Sequence, residues 1–103
     1  MTVRKCSVEC SVANTKSAEK QNRQATKHRA RNTRVVSTLR TQVRKARAAI
    51  EKADAPATKT ELQAAIRLIA KAATKGVIHK SQASRRISRL TKAANKVSAA
   101  AAK

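Results

Sequence analysis

The chain contains no phenylalanine, tyrosine or tryptophan, and only one glycine and one proline among its 103 residues. Proteins that hold single-stranded nucleic acid usually stack its bases on aromatic side chains, so this absence argues against binding by base stacking. Hydrophobic residues make up 41% of the chain. Because most of them are alanine, the hydrophobic core must be thin, and any contact with nucleic acid must go to phosphates, sugars and overall shape.

Acidic residues are the second scarcity. The chain has five aspartates and glutamates and 25 lysines and arginines, which gives a formal net charge of +20. The segment from Leu62 to Lys103 contains ten lysines and arginines and no acidic residue. Charge of this size exceeds what solubility needs and opposes a compact fold by self-repulsion. An anionic partner is therefore expected, and nucleic acid, whose binding releases condensed counterions, is favoured over an anionic membrane.

Long apolar runs and metal-binding patterns are also missing from the sequence. No stretch approaches the roughly 20 apolar residues of a membrane span, and the N-terminus lacks the apolar segment of a secretory signal. Cys6 and Cys10 are too few for a disulfide scaffold and are expected to be reduced thiols. His28 and His79 are too distant in sequence to complete a metal site with them. The expectation is a cytoplasmic protein with no cofactor, metal or small-molecule substrate.

The chain divides into a short extension and a helical part. Residues 1–12 lack any periodicity and are expected to form a flexible extension, followed by one domain over residues 13–103. A long helix is predicted from Lys16 to about Ala53, and its first half has almost no apolar face. Residues 16–33 are therefore expected to gain order beside a partner's phosphates, although a solvated basic arm is the alternative. The second half has an apolar face: Val35, Val36, Leu39, Val43, Ala46 and Ile50.

Two more helices are predicted after Pro56, which interrupts the first. Thr58 and Glu61 have the spacing of a capping box at the start of the second helix, and Gly76 fits a left-handed residue at its end. Ser81 is the predicted N-cap of the third helix. The predicted apolar faces are Leu62, Ala65, Ile66, Ile69 and Ala73 in the second helix, and Ala83, Ile87, Leu90, Ala94, Val97 and Ala101 in the third. The pattern predicts an all-α fold, a three-helix bundle with a long, overhanging N-terminal helix.

Basic residues fall on helical faces with few or no acids, and these are the candidate RNA-binding residues. On the first helix they are Lys16, Lys20, Arg23, Lys27, Arg31 and Arg34, and near and within the third they are Lys75, Lys80, Arg85, Arg86, Arg89, Lys92 and Lys96. Arg40, Arg44 and Arg47 flank the apolar face of the first helix on its other side. A surface adapted only for solubility mixes both signs of charge, so the missing acids favour binding over a solvated face. Arginines rank above lysines because a guanidinium can hold a phosphate through two parallel hydrogen bonds.

Catalytic patterns are absent from the sequence. His79 has no paired carboxylate or nucleophile within sequence reach, so a structural role at a turn or helix start is favoured. Three acidic residues cluster around one interhelical turn: Glu51, Asp54 and Glu61. Helix capping or ion pairing with nearby basic side chains is favoured for them over acid–base catalysis. The chain is therefore predicted not to be an enzyme.

Two short blocks of sequence resemble a known family. The first is Ala13-Asn14-Thr15-Lys16-Ser17-Ala18, and the more specific second block runs from Lys75 through Gly76 and His79 to Leu90. Both are similar to the bacterial and plastid small-subunit ribosomal protein number twenty, over residues 13 to about 97. Family members usually begin with Met just before the Ala-Asn pair, where this chain has Val12. Val12 is therefore expected to be the initiation site of the native protein, and the intact mass of that protein tests the expectation.

The resemblance implies a three-helix bundle that binds small-subunit (16S-type) ribosomal RNA directly during early assembly, beside other small-subunit components. It implies no catalysis, and it places the protein in a cytoplasmic or a plastid ribosome. The sequence leaves one alternative function open, a histone-like protein that compacts DNA without sequence preference, because its alanine- and lysine-rich end would use the same charges. A cationic membrane-active helix ranks last, because the chain lacks the bulky residues of interfacial helices.

Overall fold

Three α-helices make up the part of the chain that the structure describes. The computed structural model describes residues 14–102. Helix α1 spans Lys16–Glu51, α2 spans Ala55–Thr74 and α3 spans Lys80–Ala101, with no β-strand within the described range. The all-α prediction with a long first helix is confirmed, since α1 has 36 residues. The flexible extension predicted for residues 1–12 and both cysteines lie outside the described residues.

The hydrophobic core belongs to the compact unit formed by residues 31–103. Leu39 and Ile69 are its largest fully buried side chains, with 2% and 0% of their surface exposed. Small residues surround them, and the core cluster comprises Leu39, Ala46, Ala65, Ile69, Ala72, Ala83 and Leu90. The core is therefore as thin as the composition predicted. The predicted apolar faces are confirmed except at Ala101, which is exposed because it lies at the last residue of α3.

The connection between α1 and α2 differs from the prediction of a capping box. Asp54 is the N-cap and makes no side-chain cap hydrogen bond, and α2 begins at Ala55 with Pro56 in its first turn. Proline suits that position because its fixed φ is helical and the first turn needs no intrahelical N–H donor. The helix therefore starts before Thr58, and the prediction that Thr58 and Glu61 form the cap is wrong.

Thr58 instead joins the two helices. It is only 8% exposed, and its hydroxyl donates a hydrogen bond to the carbonyl of Ala49 at 3.1 Å. The N–H of Ala53, which would continue the ladder to Ala49, bonds to Ile50 at 3.2 Å. The threonine thus supplies a donor to a carbonyl at the C-terminus of α1, where helices leave carbonyls without intrahelical partners. A second side-chain hydrogen bond joins α1 and α2, since the Gln42 amide donates to the Glu61 carboxylate at 3.1 Å.

The connection between α2 and α3 is a tight turn centred on Gly76. Gly76 has φ of +74°, and its N–H bonds to the Ala73 carbonyl at 3.1 Å. The Val77 N–H bonds to the Ala72 carbonyl at 3.1 Å. This pair of bonds is a Schellman motif, which needs a left-handed residue at the position of Gly76. The prediction that Gly76 ends the second helix is confirmed.

His79, and not Ser81, is the N-cap of α3. Its imidazole Nδ1 accepts a hydrogen bond from the Ser81 N–H at 3.3 Å and lies 2.8 Å from the Ser81 hydroxyl. The prediction of Ser81 as N-cap is wrong because α3 begins at Lys80, which places Ser81 inside the first turn. The structural role predicted for His79 is confirmed.

Candidate nucleic-acid interface

The basic residues singled out from the sequence all lie on the exposed surface. They are Lys16, Lys20, Arg23, Lys27, Arg31 and Arg34 of α1, Lys75 of the interhelical turn, and Lys80, Arg85, Arg86, Arg89, Lys92 and Lys96 of α3. Exposure leaves their charged groups free to meet a partner. It also means that their mutual repulsion is screened by water and salt, so the fold tolerates them.

The N-terminal part of α1 presents charge without a hydrophobic face. Between Lys16 and Arg34 every residue is exposed except Ala18, which is half-buried. Local contacts begin the helix, since the Thr15 hydroxyl accepts a hydrogen bond from the Ala18 N–H at 3.3 Å. The acidic Glu19 lies in the first turn, where it interacts favourably with the helix dipole. Packing contributes little here, so this segment remains the part of α1 predicted to gain order beside a partner.

An arginine-lined groove lies between α1 and α3 in the unit of residues 31–103. Its volume is about 600 Å³. Six arginines line it, three from each helix: Arg40, Arg44, Arg47, Arg85, Arg86 and Arg89. The apolar residues of the groove are Leu39, Val43, Leu90 and Ala93. Of the described residues that line the groove, none is acidic, so the field within it has one sign.

A second, smaller groove lies between α1 and α2. It has a volume of about 220 Å³. Arg34, Lys71 and Lys75 line it beside apolar residues that include Leu39 and Leu68. Helix α1 supplies Arg34 to this groove and three arginines to the groove with α3, so it places cationic residues in a cleft with each of the other two helices. The unit of residues 31–103 can therefore meet anionic groups on more than one side.

The acidic residues are confined to short stretches of the described chain. Glu51, Asp54 and Glu61 lie at or near the α1–α2 turn, whereas residues 20–50 and 62–102 contain no acidic residue. The charge of the bundle is therefore uneven. The residues that line the two grooves come from these acid-free stretches. The α1–α2 turn is the part of this unit where basic and acidic residues are mixed.

Four cationic residues that line the two grooves are not among the RNA-binding residues predicted from the sequence: Arg40, Arg44, Arg47 and Lys71. The signal for the three arginines was present, because they recur at steps of four and three residues beside the apolar face of α1. A helical pattern describes one helix at a time, so it does not predict that the arginine rows of α1 and α3 meet. Their meeting depends on how α1 packs against α3, which is a tertiary property.

Other kinds of site find little support in the part of the chain that the structure describes. None of its helices is long and apolar enough to cross a membrane. Residues 14–102 also contain no group of three or more histidine, cysteine, aspartate or glutamate side chains that could hold a metal ion.

The fold and these surfaces define a class of protein, the small all-α proteins with acid-free cationic faces suited to a polyanion. Residues 13–102 match the family model of ribosomal protein S20. The chain belongs to the ribosomal protein S20 family, and the resemblance seen in the two sequence blocks is thereby confirmed.

Individual relatives agree with this assignment along nearly their whole length. The chain is 57% identical over 90 residues to the small ribosomal subunit protein bS20 of Anaeromyxobacter sp. (strain K), covering 87% of this chain and 99% of that protein. It is 52% identical over 86 residues to bS20 of Syntrophotalea carbinolica, covering 84% and 99%. It is 51% identical over 87 residues to bS20 of Geotalea daltonii, covering 84% and 100%.

Proposed function

We propose that this protein is a structural constituent of the small ribosomal subunit that binds small-subunit ribosomal RNA directly and stabilises its folding and assembly. One observation carries the proposal. The family match over residues 13–102 covers two long, mainly helical stretches, residues 20–50 and 62–102, that contain many basic residues and no acidic residue. Membership of a ribosomal protein family supports a structural role and gives no support to an enzyme. It gives no support to the histone-like alternative either.

The mechanism is electrostatic. RNA segments that approach one another in a folded ribosomal RNA repel through their phosphates, and cations held between them lower that repulsion. In the unit of residues 31–103, packed helices hold the attachment points of these cations in place, so less conformational freedom is lost on binding than with a disordered basic peptide. Discrimination would come from the spacing of phosphates in the folded RNA, because the deep, narrow major groove of an RNA helix is closed to side chains.

The residues proposed to contact phosphates are those on the basic faces, which carry few acids in α1 and none in α3. They are Lys16, Lys20, Arg23, Lys27, Arg31, Arg34, Lys75, Lys80, Arg85, Arg86, Arg89, Lys92 and Lys96. Their exposure supports the assignment. Arginines are expected to dominate the affinity because each can bind a phosphate through two parallel hydrogen bonds, whereas a lysine acts as a point charge.

The cellular setting follows from the same relatives. A ribosomal location agrees with the family, and we propose the cytoplasmic ribosome of a bacterium in preference to that of a plastid. The supporting observation is identity above 50% to proteins of three bacteria. The other partners would be neighbouring components of the small subunit.

A competition experiment tests the function. Purified protein is offered labelled small-subunit ribosomal RNA and, separately, duplex DNA of similar length at the same salt concentration. We expect tighter binding to the RNA, and co-sedimentation of the native protein with small subunits from its own cells. Equal affinity for the two nucleic acids, together with absence from ribosomal particles, would refute the proposal and restore the histone-like alternative.

A further inference from the structure

The arginine-lined groove between α1 and α3 brings together charges from two helices that the sequence alone does not pair. Arg40, Arg44 and Arg47 lie on the α1 side and Arg85, Arg86 and Arg89 on the α3 side. The other lining residues are apolar except Gln82: Leu39 and Leu90 are buried, and Val43 and Ala93 are half-buried. The result is a cleft with cationic walls and an apolar floor.

An anion in the groove would relieve the repulsion among these exposed arginines, which water and salt only partly screen in the free protein. Like charges that face one another across a cleft repel, and low-dielectric walls concentrate their field. Oppositely charged side chains would relieve the repulsion, but none of the described residues of the lining is acidic. The field within the groove is therefore strongly attractive to a polyanion.

The size and spacing of the groove select among polyanions. A cleft of about 600 Å³ falls in the range of pockets that enclose a drug-sized ligand, which corresponds to a short piece of one strand and not to a double helix. Along α1 the arginines are four and three residues apart, which separates them by about 6 Å and about 4.5 Å along the helix axis. A row of cations matches a chain that repeats its negative charge along its length better than it matches a compact anion.

We infer that the α1–α3 groove binds a single RNA strand by its sugar–phosphate backbone, with the arginines of α1 on one side of the strand and those of α3 on the other. The inference rests on the proposed function and deepens it. It assigns Arg40, Arg44 and Arg47 to the interface, and it distinguishes a two-sided site from basic faces that meet phosphates from one side. The apolar floor accommodates the sugars, and the guanidinium groups hold the phosphates.

Two variants of equal charge test the groove. The groove variant is Arg44→Gln with Arg89→Gln, one residue from each wall. The control is Lys52→Gln with Lys59→Gln, two exposed lysines near the acidic α1–α2 turn. Both lower the net charge by two, and glutamine is a good helix former at exposed positions. Affinity of the full-length chain for a full-length bacterial small-subunit rRNA transcript is measured over a salt series, and helicity is checked by circular dichroism.

The groove variant is expected to bind the transcript roughly a hundredfold more weakly than the wild type, since two charge-assisted contacts are lost. Its log–log salt slope should be shallower by about 1.4 to 1.8, or 0.7 to 0.9 for each phosphate contact. The control should weaken binding only a few-fold. Equal losses in the two variants would overturn the inference, because the groove would then be no more than part of a diffuse basic surface.

A steric variant tests the groove without altering charge. Ala93→Met places a longer side chain on the half-buried floor, whereas Ala99→Met adds the same atoms at an exposed position of α3. Methionine and alanine both favour helices, so each variant should keep its helicity. We expect the Ala93 variant to bind the transcript at least about fivefold more weakly than the Ala99 variant, a modest loss typical of one crowded contact. Indistinguishable affinities would contradict a strand lying in the groove.

Measurements on the wild-type protein distinguish an error in the groove assignment from an error in the proposed function. If it prefers the transcript to duplex DNA but the matched variants bind the transcript equally, the function stands and the groove assignment falls. If it shows no preference for the transcript over duplex DNA, the proposed function falls, and the groove inference falls with it.

Discussion

The hydrogen bond from Thr58 to Ala49 is the clearest single link between α1 and α2, and its removal gives a prediction that can be worked through. The side chain is 8% exposed, and its hydroxyl lies 3.1 Å from the carbonyl oxygen. Thr58→Val keeps the shape and the β-branch of the residue and removes only the donor. Threonine and valine have similar volumes and similar helix propensities, so the substitution introduces no other large change.

Thr58→Val is expected to lower the free energy of unfolding by about 1–2 kcal/mol. This is the net contribution of one hydrogen bond plus part of the penalty for a carbonyl left without a donor. For a domain of this size the corresponding fall in the unfolding midpoint is roughly 4–16 °C, at about 4–8 °C for each kcal/mol. Urea unfolding followed by circular dichroism at moderate salt measures the change in free energy directly, since the slope of the transition should not alter.

Thr60→Val is the matched control for this prediction. Thr60 is exposed, and its hydroxyl bonds only to carbonyls of its own helix, at 2.9 Å to Ala57 and at 3.3 Å to Pro56. Its replacement should cost less than about 0.5 kcal/mol, as is usual for surface positions. If Thr58→Val were no more destabilising than Thr60→Val, the role of Thr58 in joining α1 to α2 would be refuted.

Three further predictions concern the two turns and the basic face of α3. Ala53→Gly should raise the free energy of unfolding by about 0.5–1 kcal/mol, because Ala53 has φ of +56°, where glycine avoids strain; a lower urea midpoint would contradict this. Gly76→Ala should lower it by about 1 kcal/mol through backbone strain alone, because an added Cβ would meet no atom within 4 Å; an unchanged midpoint would count against it. Arg85→Glu with Arg89→Glu should preserve helicity and weaken rRNA binding by at least about a hundredfold; unchanged affinity at fixed salt would remove this face from the interface.

Helical periodicity predicted most of the core, because burial of a helix face depends on spacings that the sequence displays directly. Leu39, Ala46 and Leu90 are buried as their spacing predicts. Gly76 was equally readable, since few other residues fit a left-handed helix end. These features are local, and local chemistry determines them.

Helix starts and the composition of the grooves were harder to predict. Thr58 has the sequence signature of a cap, but Pro56 allows the helix to begin earlier, and the hydroxyl then turns towards Ala49. His79 replaces Ser81 as the cap of α3 because an imidazole nitrogen can accept the same backbone hydrogen bond. The pairing of one arginine row with another could not be derived from helical wheels, since it depends on the packing of α1 against α3.

The central claim is that the acid-free faces hold RNA through many phosphates at once, and the salt dependence of rRNA binding tests it most directly. If each of the six groove arginines engages a phosphate, a plot of the logarithm of the association constant against the logarithm of salt concentration should have a slope of about −4 to −5 or steeper. A slope near −1 for the wild-type chain on a full-length small-subunit rRNA transcript would contradict the claim, because it would leave room for only one or two such contacts.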